Sequence, residues 1–194
     1  MRKLSVDDIA DLRAYERERP ELRSHIIELK RRRRVALGDL MSILFENTET
    51  MRWQVQEMAR AERMLSDEQI AHEVATYNRL IPDADSLSGT LFLELTDDAK
   101  LREWLPKLVG VQHSIAFELE GAERVVGSPQ DEERLTRADT TSAVHFLVFR
   151  FSPGQVDALR AGPPRIVVDH PGYRSSTLLT DEQHAELVAD LAAG

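Results

Sequence analysis

The apolar positions of the first 80 residues recur mostly at helical spacing, which predicts a helical N-terminal half. Ser5, followed closely by two acidic residues, indicates a short first helix that we expect to end near Tyr15. A second helix is expected to begin at Pro20, because the apolar residues after it recur four and three positions apart. Two further helices are predicted within residues 48–65 and 68–80.

A strand-like pattern interrupts these helices. The apolar runs RVAL and LMSILF flank the turn signal Gly38-Asp39, which predicts a β-hairpin. The stretch PDADSLSG, residues 82–89, has the composition of a linker or a long loop. We therefore expect a helical and hairpin segment over residues 1–88, packed on a second unit over residues 89–194. The alternative is one compact unit.

The pattern changes after residue 89. TLFLEL, HSIAFELEG, TTSAVHFLVFRF and PRIVVDHPG are predicted strands, and helical stretches separate the first strand from the second and the third from the fourth. This order predicts an α+β protein in which residues 89–170 form a ferredoxin-like (split βαβ) sandwich. A last helix, capped by Thr180, is expected to close the chain.

Composition restricts the chemistry. The 194 residues include no cysteine, which excludes disulfides, thiolate nucleophiles and cysteine-ligated zinc or iron–sulfur clusters. No apolar run is long enough to cross a bilayer, and the N-terminal stretch has acids where a signal peptide needs an apolar segment. We therefore expect a cytoplasmic protein without a membrane anchor, and a homo-oligomer is an open possibility.

Charge is distributed unevenly along the chain. The net charge is −9, yet residues 1–34 contain 11 Lys or Arg against 7 Asp or Glu, a net +4. Five of these cations are consecutive, in the run KRRRR at residues 30–34. Such a run can bind phosphate, or it can complement the C-terminal dipole of an ordinary helix. A largely acidic protein repels nucleic acid, so this pattern argues against a nucleic-acid partner.

Two charged residues interrupt apolar helical faces. Leu22, Ile26 and Leu29 form one stripe, and at about 100° per residue Arg33 continues it. Glu62 falls on the stripe of the third predicted helix in the same way. Burying either charge alone is costly. The hypothesis is that Arg33 and Glu62 meet, directly or through a bound anion or metal; the alternative is that both reach solvent.

Three residues of the second half complete the set of ligand-binding candidates. His145 lies inside SAVHFLVFRF, where a buried imidazole with one hydrogen bond is the plain interpretation and a ligand or proton-transfer role the alternative. His170 and Tyr173 flank the turn in DHPGY, where the proline keeps His170 extended and the glycine allows the chain to reverse. Strand ends of this kind are frequent places for functional side chains, with a plain turn as the alternative.

No local motif for catalysis occurs in the sequence. A Walker loop, GxGxxG, GxSxG and HExxH are all missing, and so is CxxC. Motifs therefore leave open whether the protein is an enzyme, which residues are catalytic and which cofactor or metal, if any, it uses.

Four segments of the chain carry a resemblance to a known family. They are ELKRRRRVALGD, LFENTETMRWQVQEMARAER, TSAVHFLVFRF and DHPGY. Together they resemble the uncharacterised bacterial domain-of-unknown-function family DUF3501 over nearly the whole chain. The resemblance implies no established activity. Genes of that family often lie beside those for rubrerythrin and an iron–sulfur oxidoreductase, so the resemblance implies a link to peroxide or iron redox metabolism.

Three functions remain open from the sequence. The first is a cytoplasmic accessory or binding protein that serves a rubrerythrin or an iron–sulfur oxidoreductase. The second is a metal- or haem-dependent oxidoreductase using His145, His170 and carboxylates such as Glu62. The third is a nucleotide or RNA-binding module built on residues 30–34 and the predicted sheet, although its strands lack the aromatic motif of RNA-binding sheets.

Overall fold

The computed structural model describes residues 1–130 and 139–192. Within these ranges the chain is α+β, as predicted, with a helical N-terminal half that contains a hairpin. None of the described helices is both long and apolar enough to span a bilayer. The α-helices are α1 (Leu12–Arg33), α2 (Thr48–Ala61), α3 (Asp67–Asn78), α4 (Asp98–Lys107), α5 (Pro153–Ala161) and α6 (Asp181–Ala192). The strands are β1 (Arg34–Leu37), β2 (Met41–Glu46), β3 (Ser86–Leu93), β4 (Ile115–Glu118), β5 (Val125–Val126), β6 (Ser128–Gln130), β7 (Val144–Arg150), β8 (Arg165–His170) and β9 (Tyr173–Leu178).

The strands form two antiparallel sheets around one core. The first sheet has the order β1-β2-β3-β7-β6 and the second the order β5-β4-β8-β9. Phe117 of the second sheet meets two rings of the first: its ring centroid lies 5.5 Å from that of Phe45 and 4.9 Å from that of Phe149. The same core includes apolar residues of α5 and α6. Alternate residues of both sheets therefore point into one shared interior.

A second, smaller apolar cluster lies on the other side of the first sheet. Met51 and Val55 of α2 pack there with Val74 of α3, and Phe146 of β7 packs against them from the sheet. Because strand residues alternate between faces, Phe146 points away from the shared interior while its neighbours point inward. Helices α2 and α3 therefore cover the outer face of the first sheet.

The predicted hairpin is confirmed, and it extends the first sheet. β1 and β2 pair across a turn in which Gly38 has a φ of 70°, a conformation that favours glycine. The space is also restricted, because a Cβ at Gly38 would lie 2.1 Å from the hydroxyl oxygen of Tyr173. β2 then pairs with β3 over six residue pairs.

The N-terminal helices differ from the prediction. Only a 3-10 turn, Val6–Asp8, follows Ser5, and α1 then runs unbroken through Pro20. Proline removes one backbone donor from a helix interior, which usually ends or kinks it. Here the segment before Pro20 is fixed on α2, because the Tyr15 hydroxyl and the Arg19 guanidinium both bind Glu57 at 2.7 and 2.8 Å. Tertiary contacts thus override the local signal.

The predicted linker is corrected as well. Residues 86–89 belong to β3, so the boundary expected at residue 88 falls inside a strand whose neighbours are β2 and β7. The serines of this segment suggested a loop, yet Ser86 and Ser88 are buried. Sheet pairing on both sides of β3 satisfies the backbone there and outweighs the weak strand propensity of Ser and Gly.

The ferredoxin-like strand arrangement is corrected by the sheet topology. The predicted order is present, as β3-α4-β4 and β7-α5-β8, and β3 pairs with β7. A ferredoxin-like sandwich would add β8 beside β3 and β4 beside β7 in a single sheet. In this chain β2 occupies the edge of β3 and β6 that of β7, so β4 and β8 pair with each other in the second sheet.

Candidate functional site

Arg33 is the most deeply buried cation among the residues that the structure describes, at 1% exposure, and the prediction that it points into the core is confirmed. Its guanidinium donates to the carbonyl oxygens of Phe45 and Glu46, at 2.8 and 3.4 Å. It also binds two carboxylates of α6, those of Asp190 and Glu186. Arg33 is therefore neutralised and hydrogen-bonded by the protein itself, as a buried charge requires.

The neighbouring arginines bind the same helix. Arg31 binds Glu182 at 3.2 Å, and Arg32 binds Glu186 at 2.7 Å. With Asp190, these acids are spaced four residues apart and form one acidic stripe on α6. Side-chain exposure falls from 58% for Arg31 through 28% for Arg32 to 1% for Arg33. The basic run thus joins α1 to α6 with a series of ion pairs that enters the core.

The pairing of Arg33 with Glu62 is wrong. Glu62 caps the C-terminus of α2, where its backbone N–H donates to Met58, and its side chain is exposed. The helix ends at Ala61, so the apolar stripe that placed Glu62 in the core does not continue to it. The alternative interpretation, that both residues reach solvent, is correct for Glu62 and wrong for Arg33.

Beside Arg33 lies a buried carboxylate that the sequence analysis missed. The Glu46 side chain accepts hydrogen bonds from the hydroxyls of Thr50 and Thr90, both at 2.7 Å. Ser88 lies opposite Glu46 in the sheet, and its hydroxyl is buried without a hydrogen-bond partner. The available signal was the alternation in β2, because Ser42 and Glu46 fall on the face opposite Ile43 and Phe45.

Burial affects the two members of the Arg33 pair differently. Arginine keeps its proton under all ordinary conditions, whereas a carboxylate in a poorly solvated position is easier to protonate. Burial raises the pKa of Asp190 above its ordinary value, and the hydrogen bond from Arg33 opposes this effect. The guanidinium of Arg33 is bound by groups of the protein itself, so we interpret the pair as a structural connection.

The structure does not bring the other candidates together in one site. His145 is buried in the first sheet, and its Nε2 lies 2.9 Å from the Thr141 hydroxyl. His170 lies in the second sheet, where its Nε2 donates to the Val109 carbonyl at 3.0 Å and its Nδ1 accepts from the Gly172 N–H at 3.0 Å. These two bonds fix the tautomer of His170 with the proton on Nε2.

Tyr173 is opposite His170 across the tight turn between β8 and β9. Its hydroxyl donates to the Leu37 carbonyl at 2.8 Å and accepts from the Leu40 N–H at 3.4 Å. The DHPGY motif therefore holds the tip of the β1–β2 hairpin against the second sheet. Across residues 1–130 and 139–192, no group of three or more His, Cys, Asp or Glu residues could hold a metal ion.

The outward face of the second sheet is an accessible surface that combines ion pairs with exposed apolar side chains. We define the open sheet face as the outward side chains of Glu118, Arg124, Val126, Arg165, Asp169, Arg174, Ser176 and Leu178. Arg124 binds Glu118 and lies 3.9 Å from Asp169, and Asp169 in turn binds Arg174 at 3.1 Å. Val126 and Leu178, on opposite edge strands, are 55% and 50% exposed.

The fold and this surface define a class: an α+β protein with two facing antiparallel sheets, buried charges that are hydrogen-bonded within the protein, and an exposed, charged sheet face. The chain belongs to the family described as protein of unknown function DUF3501, which matches residues 3–191. The resemblance noted in the sequence is thereby confirmed.

A solved structure supports the fold. The crystal structure of a novel protein of unknown function from Burkholderia pseudomallei K96243 is similar, with 31% sequence identity and a TM-score of 0.91. The match covers 98% of this chain and 100% of that one. No curated protein matches the chain.

Proposed function

We propose that the protein is a non-catalytic accessory protein that binds a redox partner protein through the open sheet face. The observation that carries this proposal is the charge on that face. Arg124, Arg165 and Arg174 oppose Glu118 and Asp169, a net charge of +1 on a chain whose net charge is −9. Arg165 forms no ion pair with any residue that the structure describes.

A locally basic face on an acidic protein selects partners by charge. Partners with an acidic patch are attracted to this face, whereas the net charge of −9 on the whole chain repels them, and this difference orients them before contact. The exposed Val126 and Leu178 supply apolar area beside the charges. On this face the charges of Glu118, Arg165 and Asp169 lie on the two central strands, and the apolar side chains lie on the two edge strands beside them.

The proposed partner is the rubrerythrin or the iron–sulfur oxidoreductase that the family resemblance implies. The support is the gene association that the family resemblance implies. The absence of cysteine from this chain fits a protein that hosts no iron–sulfur cluster of its own. In this proposal the partner carries the redox centre and presents an acidic surface to Arg165 and Arg174.

Calorimetric titration with the rubrerythrin and the oxidoreductase of the same organism tests the proposal, each in its oxidised and reduced state. The double variant Arg165→Glu with Arg174→Glu should weaken binding by at least about tenfold, and added salt should weaken wild-type binding. Arg23→Glu, an exposed site on α1, is the matched control and should leave affinity unchanged. No binding of either protein in either redox state contradicts the proposal.

A further inference from the structure

A cavity of about 160 Å³ lies where the N-terminal segment crosses the helices α2 and α3. We call it the N-terminal pocket. Ile9 and Leu12 line it from the N-terminal segment, Ala59 from α2 and Ile70 from α3. Leu65, in the connection between α2 and α3, also lines it and is 83% exposed. A large apolar side chain is therefore exposed to solvent beside a pocket whose lining combines apolar and charged residues.

The walls of the N-terminal pocket are fixed by hydrogen bonds. The Gln56 amide accepts from the Ala10 N–H and donates to the Ala10 carbonyl, both at 2.9 Å, so the wall segment is held on α2. Arg52 of the same helix donates to the Asp8 carbonyl at 2.9 Å. These contacts keep the N-terminal segment in place, so the pocket exists before any ligand binds, which lowers the entropic cost of binding.

The size of the pocket selects the apolar group that it can take. An apolar cavity of about 150 Å³ in another protein remains dry and binds benzene. The N-terminal pocket has a similar volume, so one six-membered ring or a branched aliphatic group of that size fits. It is too small for a nucleotide or a haem, since pockets for larger ligands have volumes of about 300 Å³ or more.

The polar part of the lining selects the charge of the ligand. Asp11, Arg60 and Asp67 contribute the charged groups. Arg60 binds Glu16 at 2.6 Å, whereas neither aspartate forms an ion pair within the described chain. Asp11 uses one oxygen to cap α1, accepting from Arg13 and Ala14. The lining therefore has an excess of carboxylate, which attracts a cation.

From this combination we propose that the N-terminal pocket binds a small primary amine with an aromatic or branched aliphatic group. The apolar group occupies the chamber between Ile9, Ala59 and Ile70, and the ammonium group lies near Asp11 and Asp67. The site is separate from the open sheet face, so this inference does not depend on the proposed partner.

Benzylamine titration followed by NMR tests the inference on the whole chain. Saturable shifts are expected for the Ile9, Ala59 and Ile70 methyl groups. Ala59→Leu fills the chamber and should weaken binding by at least about tenfold, because a close-packed interior leaves no room for both groups. Ala75→Leu, at an exposed position of α3, is the matched control and should bind as wild type does.

The charge requirement has its own comparison. Benzyl alcohol and phenylacetate have the same ring with a neutral and an anionic group, and each should bind more weakly than benzylamine. The variant Asp67→Asn should reduce the preference for benzylamine over benzyl alcohol. Equal affinity for the three probes overturns the choice of an amine. The absence of saturable shifts with wild-type protein, or unchanged shifts in Ala59→Leu, overturns the site.

Discussion

The two halves of α1 are each fixed to another helix by an arginine and a carboxylate, but in different surroundings. In the first half, Arg19 and the Tyr15 hydroxyl bind Glu57 of α2, and the two charged side chains are 27% and 25% exposed. At the end of the helix, Arg33 binds Asp190 of α6, and those side chains are only 1% and 8% exposed. The same kind of ion pair, an arginine with a carboxylate, is therefore partly exposed in the first half of α1 and buried at its end.

The degree of burial determines whether the pKa of each carboxylate is lowered or raised beside its arginine. Arg19 lowers the pKa of Glu57 from 4.5 to about 2, with help from Tyr15, because enough solvent remains to limit the cost of burial. At Asp190 that cost is the larger effect, and it raises the pKa although Arg33 opposes it. A partly exposed pair thus stabilises its charges, whereas the buried pair mainly prevents an unpaired charge from being left in the core.

The largest expected effect follows from breaking the buried pair. Arg33→Met leaves Asp190 without its cation, so the free energy of unfolding at neutral pH should fall by about 3–5 kcal/mol. Denaturant unfolding measures it. The double variant Arg33→Met with Asp190→Leu should recover most of the loss, since replacing both charges with apolar groups removes the uncompensated charge. Arg31→Ala, in an exposed pair, should cost no more than about 1 kcal/mol. A double variant as unstable as the single one contradicts this account.

A smaller effect is expected at the partly exposed pair. Glu57→Gln keeps a side-chain oxygen for Tyr15 and Arg19 but removes the charge, so unfolding free energy should fall by about 2 kcal/mol. The same denaturant titration measures it. Glu16→Gln, at the exposed partner of Arg60, is the control and should cost less than about 1 kcal/mol. A loss at Glu57 as large as that of Arg33→Met would show that depth does not distinguish the pairs.

The third and smallest expected effect is a difference in pH dependence. The pKa of Glu57 is lowered, so its stabilisation is complete above pH 4.5 and is lost as the pH falls toward about 2. The pKa of Asp190 is raised above 3.8, so in Arg33→Met the carboxylate takes up a proton at a higher pH and loses its unfavourable charge. Calorimetric melting over a pH series measures the loss of stability that each substitution causes. As the pH falls, the loss caused by Arg33→Met should decrease at a higher pH than the loss caused by Glu57→Gln. A shared midpoint contradicts this prediction.

The buried position of Arg33 could be predicted, but its partner was not. The phase of Leu22, Ile26 and Leu29 is a local property of one helix, and it placed Arg33 correctly. The partner Asp190 lies on the last helix, and only the tertiary packing brings it near. One signal was present, since Glu186 and Asp190 share a four-residue spacing that matches a helical stripe opposite a basic run.

Strand existence was easier to predict than strand pairing. The strands β3, β4, β7 and β8 were all predicted, because each contains a short run of apolar residues that lacks the spacing typical of a helix. β9 was missed, since YRSSTL has few apolar residues and its strand state depends on pairing with β8. Whether the strands form one sheet or two depends on which strands pair with the free edges of β3 and β7. β2 and β6 occupy those edges, and the sequence of a single strand does not predict this pairing.

The packing of β9 against the β1–β2 hairpin, to which Tyr173 contributes, has a consequence for solubility. The hydroxyl of Thr177 donates to the Ala36 carbonyl at 2.7 Å, so β9 lies against β1 where both would otherwise be outer strands. At the opposite side the chain passes from β5 to β6 through Gly127, and its N–H donates to Ile115. Exposed strand edges recruit other chains into aggregates. Because the described part of the chain covers its own outer strands in this way, less unpaired strand-edge backbone is available for pairing with a second molecule.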